Sequence, residues 1–183
     1  MYSALKDMED FTVVGSSLVR LAACVCAVLM TVAPVRAEEP DFLTFGAGYY
    51  DLFDDESAGE ARLEYRFSEA NKIWIFTPFV GATATTDAAT YGYAGVGVDI
   101  FFGNRWVLTP NFAAGIYGNG DGKDLGHAVE FRSGVELAYR FDNYSRLGLS
   151  FTHISNAGLG ERNPGVESLV LTYSVPFNML FGE

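Results

Sequence analysis

Cysteine is almost missing from this chain, and the two that occur, Cys24 and Cys26, lie near the N-terminus, so the bulk of the protein must fold without a disulfide. Long apolar runs are scarce too. The main one, Leu21 to Val35, falls short of the about 20 residues that a helix needs to cross a bilayer, and nothing after it comes closer. Positive charge is also in short supply, with 12 Lys and Arg against 23 Asp and Glu and a net charge of −11. Binding to nucleic acid depends on neutralising phosphates with Lys and Arg, so that class is excluded. Charged residues make up only 19% of the chain and no stretch after Asp41 sustains a helical period. What is abundant is aromatic (15%) and glycine (20 residues), a composition that favours strands.

The start of the chain differs from the rest. The apolar run after Arg20 ends in Val35-Arg36-Ala37, which places small or medium residues where a leader peptidase reads them. Residues 1–37 are therefore expected to be a cleaved secretory signal peptide, and 38–183 a single domain. Acids at Asp7, Glu9 and Asp10 are unusual before such a run, and suggest a translation start downstream of Met1. Leu21-Ala22-Ala23-Cys24 also resembles a lipoprotein cleavage box, but Arg20 sits where its apolar run should be. Lys6, Arg20 and Arg36 balance the three acids, so the whole negative charge belongs to 38–183.

From Asp41 onward the pattern is a rhythm of alternating segments separated by turn-rich loops. In Val129 to Phe141, the residues Val129, Phe131, Val135, Leu137, Tyr139 and Phe141 share one face, with Ser133 its only polar interruption. Glu130, Arg132, Glu136 and Arg140 occupy the other. In an outer-membrane barrel such a strand shows its apolar face to lipid and its charges to the interior. Eight segments are expected: Phe42 to Phe53, Ala61 to Phe67, Ile73 to Thr83, Tyr91 to Phe102, Trp106 to Tyr117, Val129 to Phe141, Arg146 to Ser155 and Glu167 to Phe177. Short turns at Ser68 to Lys72, Gly103 to Arg105 and Asp142 to Ser145 alternate with longer loops at Asp54 to Glu60, Ala84 to Thr90, Gly118 to Ala128 and Asn156 to Val166. The fold expected is all-β, an eight-stranded antiparallel transmembrane barrel of the outer-membrane type, its long loops extracellular. A soluble eight-stranded barrel or sandwich is the alternative. Pro78 and Pro110 fall inside expected strands and predict bulges or strand ends. Glu64, Glu130, Arg132, Glu136 and Arg140 are expected to form an ion network plugging the interior.

The segment His153-Ile-Ser155-Asn156 through Asn163-Pro164-Gly165-Val166-Glu167 holds a base, a hydroxyl and a carboxylate at the ends of two successive strands. Counting by twos from Leu147, Leu149 and Phe151 puts His153 and Ser155 on the lipid side, and Glu167 shares parity with Leu169, Leu171 and Tyr173. If His153 pairs with Glu167, their Cβ atoms are about 4.5–5.5 Å apart. These are the residue types of an acyl-transfer triad, in which a carboxylate orients the imidazole that takes the serine proton. A substrate reaching them sideways from the membrane would be a lipid ester.

His153-x-Ser155-Asn156-Ala157, followed by Asn163-Pro164-Gly165-x-Glu167 and a short aromatic-ended strand, resembles the signature of the PagL-type lipid A 3-O-deacylases, eight-stranded outer-membrane barrels. The resemblance implies Ser155 as nucleophile, His153 as its base and Glu167 as the orienting acid. It further implies removal of an ester-linked 3-hydroxyacyl chain from lipid A, with no cofactor and no metal. Asn156, Asn163 and Gly165 match further polar and turn positions of that family. Asn163 and the Gly165 amide are candidates to stabilise the oxyanion, where one donor is worth about 2.7–4 kcal/mol. Asn156 equally suits a role in holding the loop, and Asn-Pro-Gly is also an ordinary turn. Expected partners are lipopolysaccharide and outer-membrane lipids, without nucleic acid; a homodimer stays open. Two other functions also stay open: a structural or adhesion barrel acting through its loops, and a phospholipase or acyltransferase using the same triad. His127 with Asp121 and Asp124 could be imagined as a metal site, but reads as a solvated turn.

Overall fold

The computed structural model describes residues 39–54 and 56–182, and the leader expected for 1–37 lies outside the described residues. Alternation of outward apolar and inward polar or small side chains produces β1 (Phe42–Tyr50), β2 (Ala58–Arg66), β3 (Thr77–Thr85), β4 (Thr90–Gly97), β5 (Ile100–Phe102), β6 (Trp106–Gly118), β7 (Val129–Arg140), β8 (Arg146–Ser155) and β9 (Val166–Pro176). Sequential neighbours other than β4 and β5 pair antiparallel, β1 pairs with β9, and β4 pairs with β6. The sheet is thus closed, as a hydrocarbon surrounding demands, and among the described strands β5 alone pairs on one side only, with β6. β4 and β5 lie against β6 in one register, Gly97 opposite Asn111 and Ile100 opposite Leu108, so they are two parts of one barrel strand and the barrel has eight.

The interruption between β4 and β5 faces Pro110. Val98 donates its N–H to the Pro110 carbonyl at 3.0 Å, but proline has no N–H to return the bond. β6 keeps its pairing with β7 through this point, Thr109 opposite Glu136 and Asn111 opposite Gly134. The disturbance expected at Pro110 is therefore a missing hydrogen bond in the neighbouring strand, with no bulge. Pro78 is the second residue of β3, a strand end.

The connections depart from the expected short and long alternation at two places. Residues 86–89, expected as a long loop, form a tight turn in which Ala88 (φ 59°) reverses the chain and Thr85 donates to the Ala89 carbonyl at 2.9 Å. Residues 67–76, expected to start a strand at Ile73, instead contain a turn of 3-10 helix at Glu69–Asn71 and a tight loop in which Ile73 and Phe76 bond each other around Trp74 (φ 60°). The long connections that remain at the other end are 51–57, 119–128 and 156–165, the last of which joins the strands that carry His153, Ser155 and Glu167.

The interior is filled by charge and, nearer these loops, by rings. Arg66 donates to both Glu136 carboxylate oxygens at 2.7 and 2.8 Å and to Glu64 at 2.7 Å, and Arg132 reaches Glu64 at 3.1 Å. Towards the end holding Glu39, Arg146 lies between Glu39 (2.9 Å) and Asp99 (2.8 Å), and Arg140 pairs with Glu39 at 3.1 Å. Glu64, Arg132 and Glu136 thus join the network foreseen from parity, Arg66 and Arg146 extend it, and Glu130 is buried without an ion-pair partner among the described residues. Above it pack Tyr50, Tyr91, Tyr117, Leu125, Ile154 and Val166. The cavity inside the barrel, walled by Glu39, Glu64, Arg66, Asp99 and Arg146, has its charges paired with one another and is not lined by His153, Ser155 or Glu167.

Candidate active site

β8 and β9 form a hairpin whose loop dictates the site. Asn156 ends β8 with its side chain inside the protein, fully buried, where Nδ2 donates to the carbonyls of Leu125 (2.8 Å) and Arg162 (2.7 Å) and Oδ1 accepts the Gly158 N–H at 2.9 Å. Ala157 (φ 53°) and Gly158 (φ 82°) then turn the chain, and Asn163 Oδ1 accepts the Asn156 N–H at 3.0 Å, tying the two ends of the loop together. Gly165 (φ 67°) steers the chain into β9. With the loop closed in this way, His153 falls opposite Glu167 in the strand register.

His153 and Glu167 meet on the outer surface of the barrel. His153 Nδ1 lies 2.9 Å from Glu167 Oε1, with side chains 42% and 29% exposed. A carboxylate can only accept, so Nδ1 carries the proton, and in the neutral ring Nε2 is left with the lone pair. A Cβ on Gly165 would stand 2.8 Å from His153 Cε1, so the ring rests on a glycine that leaves it just enough room. Ser155 lies two residues further along the same face as His153, partly exposed, about 6.5–7 Å along the strand. Its hydroxyl is not hydrogen-bonded to His153 or to any other described residue. All three side chains alternate with inward-facing Thr152, Ile154 and Ser168, as parity predicts.

The remaining candidates separate into two groups. Gly165 lies against the His153 ring, Asn163 stands two residues before it in the same loop, and the Asn163 carboxamide nitrogen has no partner among the described residues. Asn156 points away from the outer face and its carboxamide is spent on the loop, so its geometry matches the loop-holding alternative. Arg162 forms an exposed pair with Asp124 at 2.6 Å, His127 Nδ1 accepts the Val129 N–H at 2.9 Å, and among the described residues His127, Asp121 and Asp124 do not gather into a group of ligands.

Residues 51–54 support the site in a way that no sequence pattern signals. Leu52 donates its N–H to the Glu167 carbonyl at 3.0 Å, and Phe53 lies against Phe151 on the outside, ring centroids 6.4 Å apart. Lys123 anchors the next loop to this one, 2.8 Å from Asp51 and 2.7 Å from Asp54, while Tyr117 donates to its carbonyl at 2.7 Å. Burial opposes the Lys123 charge, but the hydrogen bonds and charges of the two aspartates outweigh it and raise its pKa above the ordinary 10.5. No local pattern announces contacts between residues so far apart in the chain.

A closed barrel that is apolar outside, charged within and carries a hydrogen-bonded His–Glu pair on its outer face is an outer-membrane β-barrel with a surface-exposed polar site. The solved structure of the outer membrane enzyme PagL superimposes with a TM-score of 0.59 at 20% identity, covering 74% of this chain and 99% of that one. Designed transmembrane β-barrels superimpose at 0.50 and 13%, covering 76% and 98%. The model of the family "Lipid A 3-O-deacylase (PagL)" matches residues 46–176, and the chain belongs to that family. Lipid A deacylase PagL of Pseudomonas aeruginosa is 32% identical over 132 residues, 71% of this chain and 62% of that protein. Its counterpart from Bordetella bronchiseptica is 31% identical over 77 residues, 41% of this chain and 43% of that protein. The chain therefore aligns with less than two thirds of the length of either relative.

Proposed function

We propose that this protein is a serine esterase of the outer membrane that removes the ester-linked 3-hydroxyacyl chain at the 3-O position of lipid A. The observation that carries the proposal is the in-register His153–Glu167 hydrogen bond on the outer face, with Ser155 beside it on a strand otherwise coated for lipid. In this reading the long loops are extracellular, the site lies near the outer rim, and lipid A in the outer leaflet reaches it laterally. Residues 1–37 act as the leader that exports the barrel.

Ser155 Oγ attacks the ester carbonyl carbon as its proton passes to His153 Nε2. Glu167 keeps the proton on Nδ1 and stabilises the imidazolium that results. The oxyanion is received by the Asn163 carboxamide nitrogen and the Gly165 N–H. His153 then returns its proton to the sugar oxygen, which leaves as a hydroxyl, and water activated by the same imidazole hydrolyses the acyl-serine. The chemistry uses only side chains and backbone of the hairpin.

Mass spectrometry of lipid A from cells producing the wild type or Ser155→Ala tests this. Loss of one hydroxyacyl chain with the wild type and an intact acyl set with the variant is expected. Identical acylation in both would sink the esterase reading, and release of fatty acid from glycerophospholipid alone would turn it into a phospholipase.

A further inference from the structure

The outer face of the described strands has one polar patch. Apart from tyrosines, the outward positions are apolar or glycine, except for Thr90 at the first residue of β4 and for Ser133, His153, Ser155 and Glu167. Ser133 is the member of this set that the triad does not use. It lies within β7, exposed, directly opposite His153 on one side and Phe112 on the other, and its hydroxyl bonds to no other described residue. A hydroxyl facing hydrocarbon without a partner is unfavourable. One sitting in register with the base invites a ligand.

We propose that Ser133 is a specificity residue that hydrogen-bonds a hydroxyl on the β-carbon of the departing acyl chain; the inference rests on the esterase reading above. Ser155 lies one step beyond His153 towards the loops, so a chain descending from its carbonyl into the hydrocarbon crosses the row that holds Ser133, His153 and Glu167. His153 and Glu167 fill one half of that row. Ser133 is the low point of the other half, between His153 and Phe112, with Phe131 and Val135 along its own strand and Phe151 diagonal to it on β8. Serines diagonal across two strands are about 7–8 Å apart. An attacked carbonyl carbon about 3–3.5 Å from Ser155 Oγ therefore leaves its β-hydroxyl within hydrogen-bond reach of Ser133. A chain lacking that hydroxyl would cover the Ser133 oxygen with methylene and leave it unpaired.

Purified wild type, Ser133→Ala and Ser133→Thr should be assayed in mixed micelles on two lipid A esters that differ only in the β-hydroxyl of the 3-O chain. We expect the wild type to favour the hydroxylated ester, Ser133→Ala to lower the ratio of the two kcat/KM values about two- to tenfold, and Ser133→Thr to restore it. Equal loss on both esters, or an unchanged ratio, would overturn the role of Ser133 while leaving the esterase reading intact. A wild type that cleaves neither ester would overturn both.

Discussion

Single side chains decide whether the outer patch can do chemistry. On the proposed mechanism, Ser155→Ala should reduce deacylation by at least about a thousandfold with the barrel intact, since a nucleophile and its base act as one unit; initial rates of fatty-acid release read this directly. Gly165→Ala is the sharper test of geometry. Its Cβ would press on His153 Cε1, and φ 67° strains any L side chain, so kcat should fall while the unfolding temperature of the barrel moves by only a few degrees. A variant with full activity would remove the His153 orientation from the mechanism. The types and parity of His153, Ser155 and Glu167 were readable because alternation in a strand is strictly local. The competence of Asn156 for the loop, by contrast, depends on Leu125 and Arg162, which are brought to it only by folding.

At the level of elements, the hairpin of β8 and β9 is braced by two loops from elsewhere in the barrel. Lys123 holds 119–128 against Asp51 and Asp54, and residues 51–54 in turn cap Glu167 through Leu52. Because the folded pKa of Lys123 is raised, its pairing contributes fully below pH 10.5 and is lost as pH climbs through the higher folded value. Hydrogen exchange of the loop amides should therefore be flat from neutral to mildly alkaline pH once intrinsic rates are corrected, and protection should drop only above 10.5. Lys123→Met should show the same loss at pH 7. Strand starts after short turns, at Trp106 and Arg146, were legible in the sequence because Gly, Asp and Asn punctuate them. The start of β3 and the length of 86–89 were not, since apolar Ile73 and Trp74 look like strand and left-handed turns are made without glycine.

For the whole molecule, stability depends on a closed sheet around an ionic interior. Glu136, itself buried, holds Arg66 through two part-buried hydrogen bonds and accepts a third, buried, from Thr172. Glu136→Ala should destabilise the barrel by about 1.5–3 kcal/mol, because Arg66 loses two of its charge-assisted hydrogen bonds and keeps only the one to Glu64, and urea unfolding in detergent would show it. The double change Glu136→Leu with Arg66→Met should recover much of that loss. Recovery failing altogether would mean that the interior needs its charges for more than mutual neutralisation.

The amino-acid sequence by itself determined the number of strands, the side each residue faces and the membership of the outer patch. Those properties follow from a period of two and from the contrast between lipid and interior, and both act residue by residue. Tertiary structure alone decided which residues meet across strands: the register that sets His153 between Ser133 and Glu167, the ring of His153 on Gly165, and the brace from Asp51 through Lys123. Register comes from loop closure and from the fit of one strand against the next, and the relevant distances join residues that the chain keeps far apart.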